Sequence, residues 1–422
     1  MSGNLRIDLD RLMGRIFRLG EIGALPDGGV KRLALSDEDK AGRDVVSGWM
    51  QDLGLKISID RIGNVWGIRE GADDLSPVMI GSHIDSVATG GLYDGVLGVL
   101  AGLEVVETLN EAGVQTRHPL GVGFFTNEEG ARFPPDMMGS GVQQCALSLD
   151  EMLAVVGIDG KNVAAELERI GYAGDVEPGT LHPACFLEIH VEQGPVLERE
   201  AIEIGAVTGV QGIFWSEFVV SGVSNHAGTT PMQLRHDAGI VATRIAAEAR
   251  AIADDLGPPQ VATVGVIEFS PGLVNVIPES AQLTVDLRNT DEAVLQGAQR
   301  RLAEAAEGFA AAEGCGLKTR KLARFAPVEF DPAMVDLIAD SAETLGYSVT
   351  RMPSGAGHDA QMFAPNCPTA MVFVPSKDGL SHNVNEYTAP EEIRAGVDVL
   401  LQVALARAQM LENSGETACP EA

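Results

Sequence analysis

The sequence predicts an α/β protein of two domains, in which an α+β unit interrupts an α/β body. Three observations lead there. The chain has 422 residues, more than one compact core usually serves. Apolar strand-like runs alternate with helix-period segments in its first half, which argues for a sheet covered on both faces. The register then changes after about Val207.

In chain order, a buried strand reads through Val78-Met79-Ile80 and runs into Gly81-Ser82-His83-Ile84-Asp85. A glycine-rich turn follows, then a helix from about Gly95 to Ala112 that Gly113 stops. The next apolar run, Leu120 to Phe125, ends in Thr126-Asn127-Glu128-Glu129, and a third, Phe186 to Ile189, leads into His190. Beyond Val207 the pattern is a strand from Phe214 to Val220, a loop with Asn225-His226-Ala227-Gly228 and a helix from about Ala238 to Asp255. Two strands follow, Val261 to Phe269 and Ala281 to Arg288, then a helix from Glu292 to Glu313 and a strand from Leu317 to Phe325. This β-α-β-β-α-β order fits the ferredoxin-like split unit. From about Val328 the α/β pattern resumes, with a strand from Ala370 to Val374 and a closing helix from Pro390 to Leu411. The expected division is therefore residues 1–207 and 328–422 for the body and 208–327 for the insertion.

Composition narrows the function. Thirty basic against sixty acidic residues give a net charge of −30, a field that repels phosphate backbones and anionic membranes. Nucleic acid and lipid are thus excluded as partners, and no segment has the run of about 18 apolar residues that spans a bilayer. The opening stretch MSGNLRIDLDRLMGRIFRLGEIG has an amphipathic helical pattern and lacks an apolar signal core. The five cysteines, Cys145, Cys185, Cys315, Cys367 and Cys419, are scattered without a C-x-x-C pair. They read as reduced thiols of a cytoplasmic protein.

Among only eight histidines, several stand at expected strand ends beside carboxylates. The set His83, Asp94, Glu129, His190 and His382 offers mixed nitrogen and oxygen ligands of the kind that suit zinc, manganese, cobalt or nickel. Two ions about 3.5–4 Å apart need a shared carboxylate between them, and Asp94, in a turn at a helix start, can bridge. Asp85, two residues after His83, is placed to accept the outer N–H of that histidine and fix its tautomer. The pair Glu128-Glu129 directly follows an apolar strand, where open α/β sheets put their sites. One can bind metal while the other takes a proton from water and passes it to a leaving nitrogen. Glu129 is assigned as ligand and Glu128 as general base and acid, although the chemistry alone permits the reverse.

At these residues the chain resembles the binuclear amidohydrolases of the aminoacylase and carboxypeptidase clan, specifically the amidase/hydantoinase-carbamoylase branch. That branch contains N-carbamoyl-L-amino acid amidohydrolases, β-ureidopropionases, allantoate amidohydrolases and ureidoglycolate amidohydrolases. The matching stretches, from about residue 80 to 386, are GSHIDSVATGGLYDGVLGVLAG, FFTNEEGARF, EIHVEQGPVLE, GVSNHAGTTPM, NVIPES, DLRN, SGAGHDA and GLSHNVNE. The resemblance implies a metallopeptidase-like α/β catalytic domain with an inserted ferredoxin-like α+β lid and dimerisation domain. It implies two divalent ions per subunit, with His83 and His190 on one ion each, Asp94 between both, and Glu129 and His382 completing the shells. It also implies a homodimer through the lid, with His226 reaching the partner's site to polarise the scissile carbonyl.

By the same resemblance Gln193, Asn275 and Arg288 hold the carboxylate of a small ureido acid, the arginine through its planar fork. In Ser354-Gly355-Ala356-Gly357-His358-Asp359, glycines such as Gly357 let backbone N–H groups approach a ligand, and His358 faces substrate or supports the ligands. Many relatives carry a proline in the stretch Asn383-Val384-Asn385-Glu386, a departure with no physical account in the sequence. The implied reaction is hydrolysis of an N-carbamoyl amino acid to the amino acid, carbon dioxide and ammonia. Action on allantoate or ureidoglycolate is the alternative, and the branch-specific motifs argue against a dipeptidase or aminoacylase.

Overall fold

The computed structural model describes residues 5–411, so Cys419 lies outside the described residues. The chain forms two compact units, one of residues 1–208 with 330–422 and one of residues 209–329. The first unit begins with strands β1 (Lys56–Ile59), β2 (Val65–Arg69), β3 (Val78–Ser82), β4 (Leu120–Phe124), β5 (Cys185–Val191) and β6 (Ile204–Val210). The inserted unit contributes β7 (Gly212–Ser221), β8 (Asn225–His226), β9 (Val261–Ser270), β10 (Val276–Ile277), β11 (Ser280–Asn289), β12 (Gly316–Phe325) and β13 (Val328–Glu329). The chain then returns with β14 (Val349–Ser354) and β15 (Thr369–Val374).

In the first unit the sheet order is β1-β2-β4-β3-β5-β15-β6, with β14 also beside β6. Its centre is parallel: β3 pairs in that sense with β4 and β5, and β5 with β15. β2 and β6 flank this centre antiparallel. The central strands are buried along their whole length, as near-continuous apolar runs in a doubly covered parallel sheet require. Helix Val96–Glu111 is buried on nearly every side, and Pro390–Ala408 packs against the same strands. Because β3, β4, β5 and β15 run the same way, their carboxyl ends open on one edge. That edge is where a site is expected.

Several boundaries differ from those read in the sequence. β5 continues through His190 to Val191, because the parallel register with β15 continues through Phe373 and Val374. The last helix ends at Ala408, short of Leu411, since the chain turns away at Gln409 and Met410 bridges to Thr116. Beyond the expected elements the first unit contains the hairpin of β1 and β2 and the helices Asp37–Asp52 and Pro332–Leu345.

The inserted unit has a four-stranded antiparallel sheet ordered β12-β7-β11-β9. Numbered by their own sequence, these strands stand 4-1-3-2, the arrangement of the split β-α-β fold read from the element order. Helices Ala238–Leu256 and Glu292–Glu313 cover one face, capped by the side chains of Asp237 and Asp291. Phe218, Leu283, Val285, Leu287, Ile245 and Leu302 fill the layer between them. The two segments joining the units lie side by side, Val210 opposite Val328 and Gly209 opposite Glu329.

Candidate metal centre

The carboxyl edge of the first unit's sheet holds a cleft of about 110 Å³ lined by His83, Asp94, Glu128, Glu129, His190, Gln193, Gly357, His358 and His382, with Asp136 and Ala356. His83 follows β3 directly, and its ring is fixed by Nδ1, 3.0 Å from the Asp85 carbonyl oxygen. His190 is fixed in the same way by the Val191 carbonyl at 2.9 Å. In each ring the outer nitrogen is thus committed to a backbone carbonyl, and Nε2 is the atom left to face a metal. The Gly95 amide donating to His190 Nε2 at 3.1 Å agrees with that assignment.

Asp94 stands between the donors. Its Oδ1 lies 3.5 Å from His83 Nε2 and 3.2 Å from His190 Nε2, while Oδ2 lies 3.6 Å from His382 Nε2. His382 Nε2 is also 3.2 Å from Glu129 Oε2. Two donor groups result, His83-Asp94-His190 and Asp94-Glu129-His382, each with its ligand atoms within 4.8 Å of one another. Where the resemblance implied one ion each for His83 and His190, the geometry gathers them into one donor group: both rings face the same oxygen of Asp94. Strand pairing of β3 with β5 puts them side by side, a neighbourhood that sequence spacing does not reveal. The donor set fits divalent ions, with a shared carboxylate between two nitrogen-rich or mixed shells.

The two glutamates diverge as expected of a bend. Asn127 adopts a left-handed conformation with φ 58°, and its side-chain amide donates to the carbonyls of Phe133 and Pro135. Glu129 then faces His382, whereas Glu128 Oε2 lies 3.4 Å from His83 Nε2 and belongs to neither donor group. Asp85 does something other than the sequence suggested. Its carboxylate is 4.0 Å from His83 Nδ1, and it accepts instead from the backbone N–H groups of Glu128 and Glu129 at 3.3 and 3.4 Å. The carbonyl of Asp85 accepts the hydrogen bond from His83 Nδ1, so one residue orients His83 and the glutamate bend together.

The electrostatics ask for positive charge. Burial opposes ionisation of His83, yet Glu128, Asp94 and Asp85 outweigh it and push its pKa well above the usual value. Burial also disfavours the charge on Asp94, but His190 and His83 hold its carboxyl well below the ordinary range. Glu128 moves the other way: burial, with Asp359 and Glu129 nearby, raises it well above a normal glutamate. His382 is raised to about 9 by its hydrogen bond to Glu129.

The remaining expected residues divide between the units. Gln193 is in the cleft, but its Nε2 donates to Asp94 Oδ2 and to Ser381 Oγ, both at 2.9 Å. His358 is buried, and burial together with His190 lowers its pKa well below the usual value. Its Nε2 is 2.9 Å from Ser354 Oγ, which itself donates to the Ala356 carbonyl; the imidazole N–H is thus the donor of that pair. His226, Asn275 and Arg288 belong to the inserted unit. His226 and Asn275 are neighbours there, through β8–β10 pairing and the Ala227 N–H on the Asn275 carbonyl. Arg288 forms an ion pair with Asp286 at 3.0 Å. Sequence reasoning missed Ser381 and Glu386, which both contact the Asp94 loop.

Residues 79–406 match the model of peptidase family M20/M25/M40. The chain belongs to this family. The M20 chain is 42% identical over 410 residues to an N-carbamoyl-L-amino-acid amidohydrolase of Rhizobium meliloti, covering 97% of this chain and 99% of that protein. It is 33% identical to a ureidoglycolate hydrolase of Arabidopsis thaliana, covering 95% and 87% of the two chains. Among solved structures, a hydantoinase/carbamoylase family amidase from Burkholderia multivorans superimposes with a TM-score of 0.94 at 44% identity, covering 96% and 98%. Members of the M20 family bind divalent metals, and this chain presents the donor groups for them.

A Cβ added to Gly95 would lie 2.4 Å from the Nε2 and Cε1 atoms of His83, and its φ of 66° disfavours any side chain. Gly95→Ala should therefore weaken divalent-metal binding by about 10–100-fold while the far-ultraviolet circular dichroism stays native. Metal titration of the variant measures this, and unaltered affinity would contradict the geometry.

Proposed function

We propose that the protein hydrolyses the ureido bond of an N-carbamoyl amino acid, giving the free amino acid, carbon dioxide and ammonia. The observation that carries this reading is the pair of donor groups sharing Asp94, with Glu128 beside them and outside both. Two ions, zinc or manganese with cobalt and nickel as further candidates, would be held by His83, Asp94 and His190 on one side and by Asp94, Glu129 and His382 on the other. When bound they polarise the ureido carbonyl and acidify water. Glu128 takes a proton from that water and returns it to the leaving nitrogen, a role helped by a carboxyl whose pKa burial raises. Strong likeness to an amidohydrolase of N-carbamoyl-L-amino acids favours this substrate class over allantoate or ureidoglycolate.

The inserted unit acts as a lid and dimerisation domain in this reading. His226 Nδ1 accepts the N–H groups of Gly228 and Thr229 at 3.0 and 3.2 Å, so its proton sits on Nε2. An exposed Nε2–H suits donation to a developing oxyanion in the partner subunit's site. Asn275 and Arg288 hold the substrate carboxylate, with Asp286 orienting the guanidinium, and the backbone of Gly357 borders the cleft. Pairing of two lids is supported by β9, an edge strand that exposes Val261, Val266, Ile267 and Phe269, surface that a solitary protein would be expected to cover. A cytoplasmic location suits the free thiols Cys145, Cys185, Cys315 and Cys367, and no helix among the described residues is long and apolar enough to cross a membrane.

Ammonia release by the manganese-loaded protein tests the reaction directly. N-carbamoyl-L-amino acids should turn over, ahead of N-carbamoyl-β-alanine, allantoate, ureidoglycolate and an N-acetyl amino acid. Silence across all ureido compounds would overturn the assignment. Glu128→Ala should lose about three orders of magnitude in kcat and keep its metal, whereas unchanged turnover would remove Glu128 from the chemistry. Mixing His226→Ala with Glu128→Ala subunits should restore activity in heterodimers, since one composite site then has both residues. No recovery after verified subunit exchange would exclude a site shared between subunits.

A further inference from the structure

Glu386 lies four residues beyond His382 and belongs to neither donor group, yet only 5% of it is exposed. Its Oε1 accepts two backbone hydrogen bonds, from Tyr93 at 3.0 Å and from Asp94 at 3.1 Å. Those partners are 293 and 292 residues away in sequence. Gly91 makes room for the contact: a Cβ there would stand 2.3 Å from Glu386 Oε1 and 2.4 Å from its Cδ. At its other end Glu386 is fixed in a turn, its N–H donating to the Asn383 carbonyl at 3.0 Å.

The two donor groups are supported differently. His83 directly follows β3 and His190 lies within β5, so the sheet fixes their separation. His382 sits on a loop at φ 52° with half its side chain exposed. Its distance to Asp94 depends on whatever joins that loop to the turn carrying Asp94. Ser381 makes one such link, its hydroxyl donating to Asp94 Oδ2 at 3.2 Å, but it grips the side chain that must also face the ions. Glu386 grips the backbone instead, and leaves both oxygens of Asp94 available.

We propose that Glu386 is a positioning residue that fastens the His382 loop to the Asp94 turn and thereby sets the second donor group, Asp94-Glu129-His382. The inference rests on the two-ion reading above. Only Oε1 makes the contact, since Oε2 has no hydrogen-bond partner among the described residues; a glutamine carbonyl can therefore take its place. Alanine cannot, and aspartate is one methylene too short to reach both N–H groups from the same backbone position.

Calorimetric titration of the metal-free full-length protein with manganese, with bound metal counted by elemental analysis, decides the matter. Wild type should bind two ions per subunit. Glu386→Ala and Glu386→Asp should hold one ion with unchanged affinity and bind the other at least about tenfold more weakly, and Glu386→Gln should restore both. Adding Glu386→Ala to His382→Ala should cost nothing further, because both act on the same ion. Wild type binding fewer than two ions would defeat the two-ion reading itself. If wild type binds two and the aspartate variant, with a native melting curve, also binds two at wild-type affinity, only the role of Glu386 falls. Equal weakening of both ions would likewise overturn it.

Discussion

A single carboxylate, Asp94, has to face two sets of donors at once, and much of the surrounding structure is arranged to permit it. Oδ1 serves the histidines of β3 and β5, while Oδ2 faces His382. Such a division is possible only if the residue sits at the lip of a helix with its backbone held from behind. Gly95, at a φ of 66°, turns the chain into helix Val96–Glu111 and keeps clear of the His83 ring. The cost of this placement is electrostatic. Asp85, Asp94, Glu128, Glu188, Asp359 and Glu386 are all buried around one cleft, and buried like charges are expensive without compensation.

The titration behaviour of that cluster follows from the imbalance. Burial pushes Asp85 and Glu386 up to about 7 and Asp359 to about 8. The nearby buried cations do little to relieve them. Arg32 spends its donors on the carbonyls of Ile84, Leu19 and Ile22, and Arg43 is engaged by Asp39 at 2.8 Å. Divalent ions held by the two donor groups would bring compact positive charge next to Asp94. The excess of carboxylates suits a metal-binding cleft and is a poor source of stability.

How much of this was legible in the sequence depended on the distance over which each feature is determined. The strands Val78–Ser82 and Leu120–Phe124 and the four-strand order of the insertion are set by local apolar runs and turn residues, and they were readable. The five candidate ligands stood out as scarce or charged residues beside expected strands and turns, and the fold brings them together. The grouping of His83 with His190 was not readable, since it follows from β3 pairing with β5 across more than a hundred residues. Asp85 meets the neighbour its spacing implies through a different atom: its carbonyl meets His83 and its carboxylate meets the Glu128-Glu129 backbone. Glu386 lay in a stretch marked as unusual, but its partners at Tyr93 and Asp94 are invisible without the fold.

The role proposed for His226 and its structural one need not compete. Its Nδ1 caps the turn at Gly228 and Thr229, as a loop histidine of purely structural purpose would. Accepting those two N–H groups has a chemical consequence, because it forces the proton onto Nε2 and aims the only donor of the ring outward. A histidine left free in solution would divide its proton between both nitrogens and rotate. The cap therefore does for His226 what the carbonyls of Asp85 and Val191 do for His83 and His190, with the opposite result. There the outer nitrogen is made a donor so that the inner one can accept a metal; here the inner one accepts so that the outer one can donate.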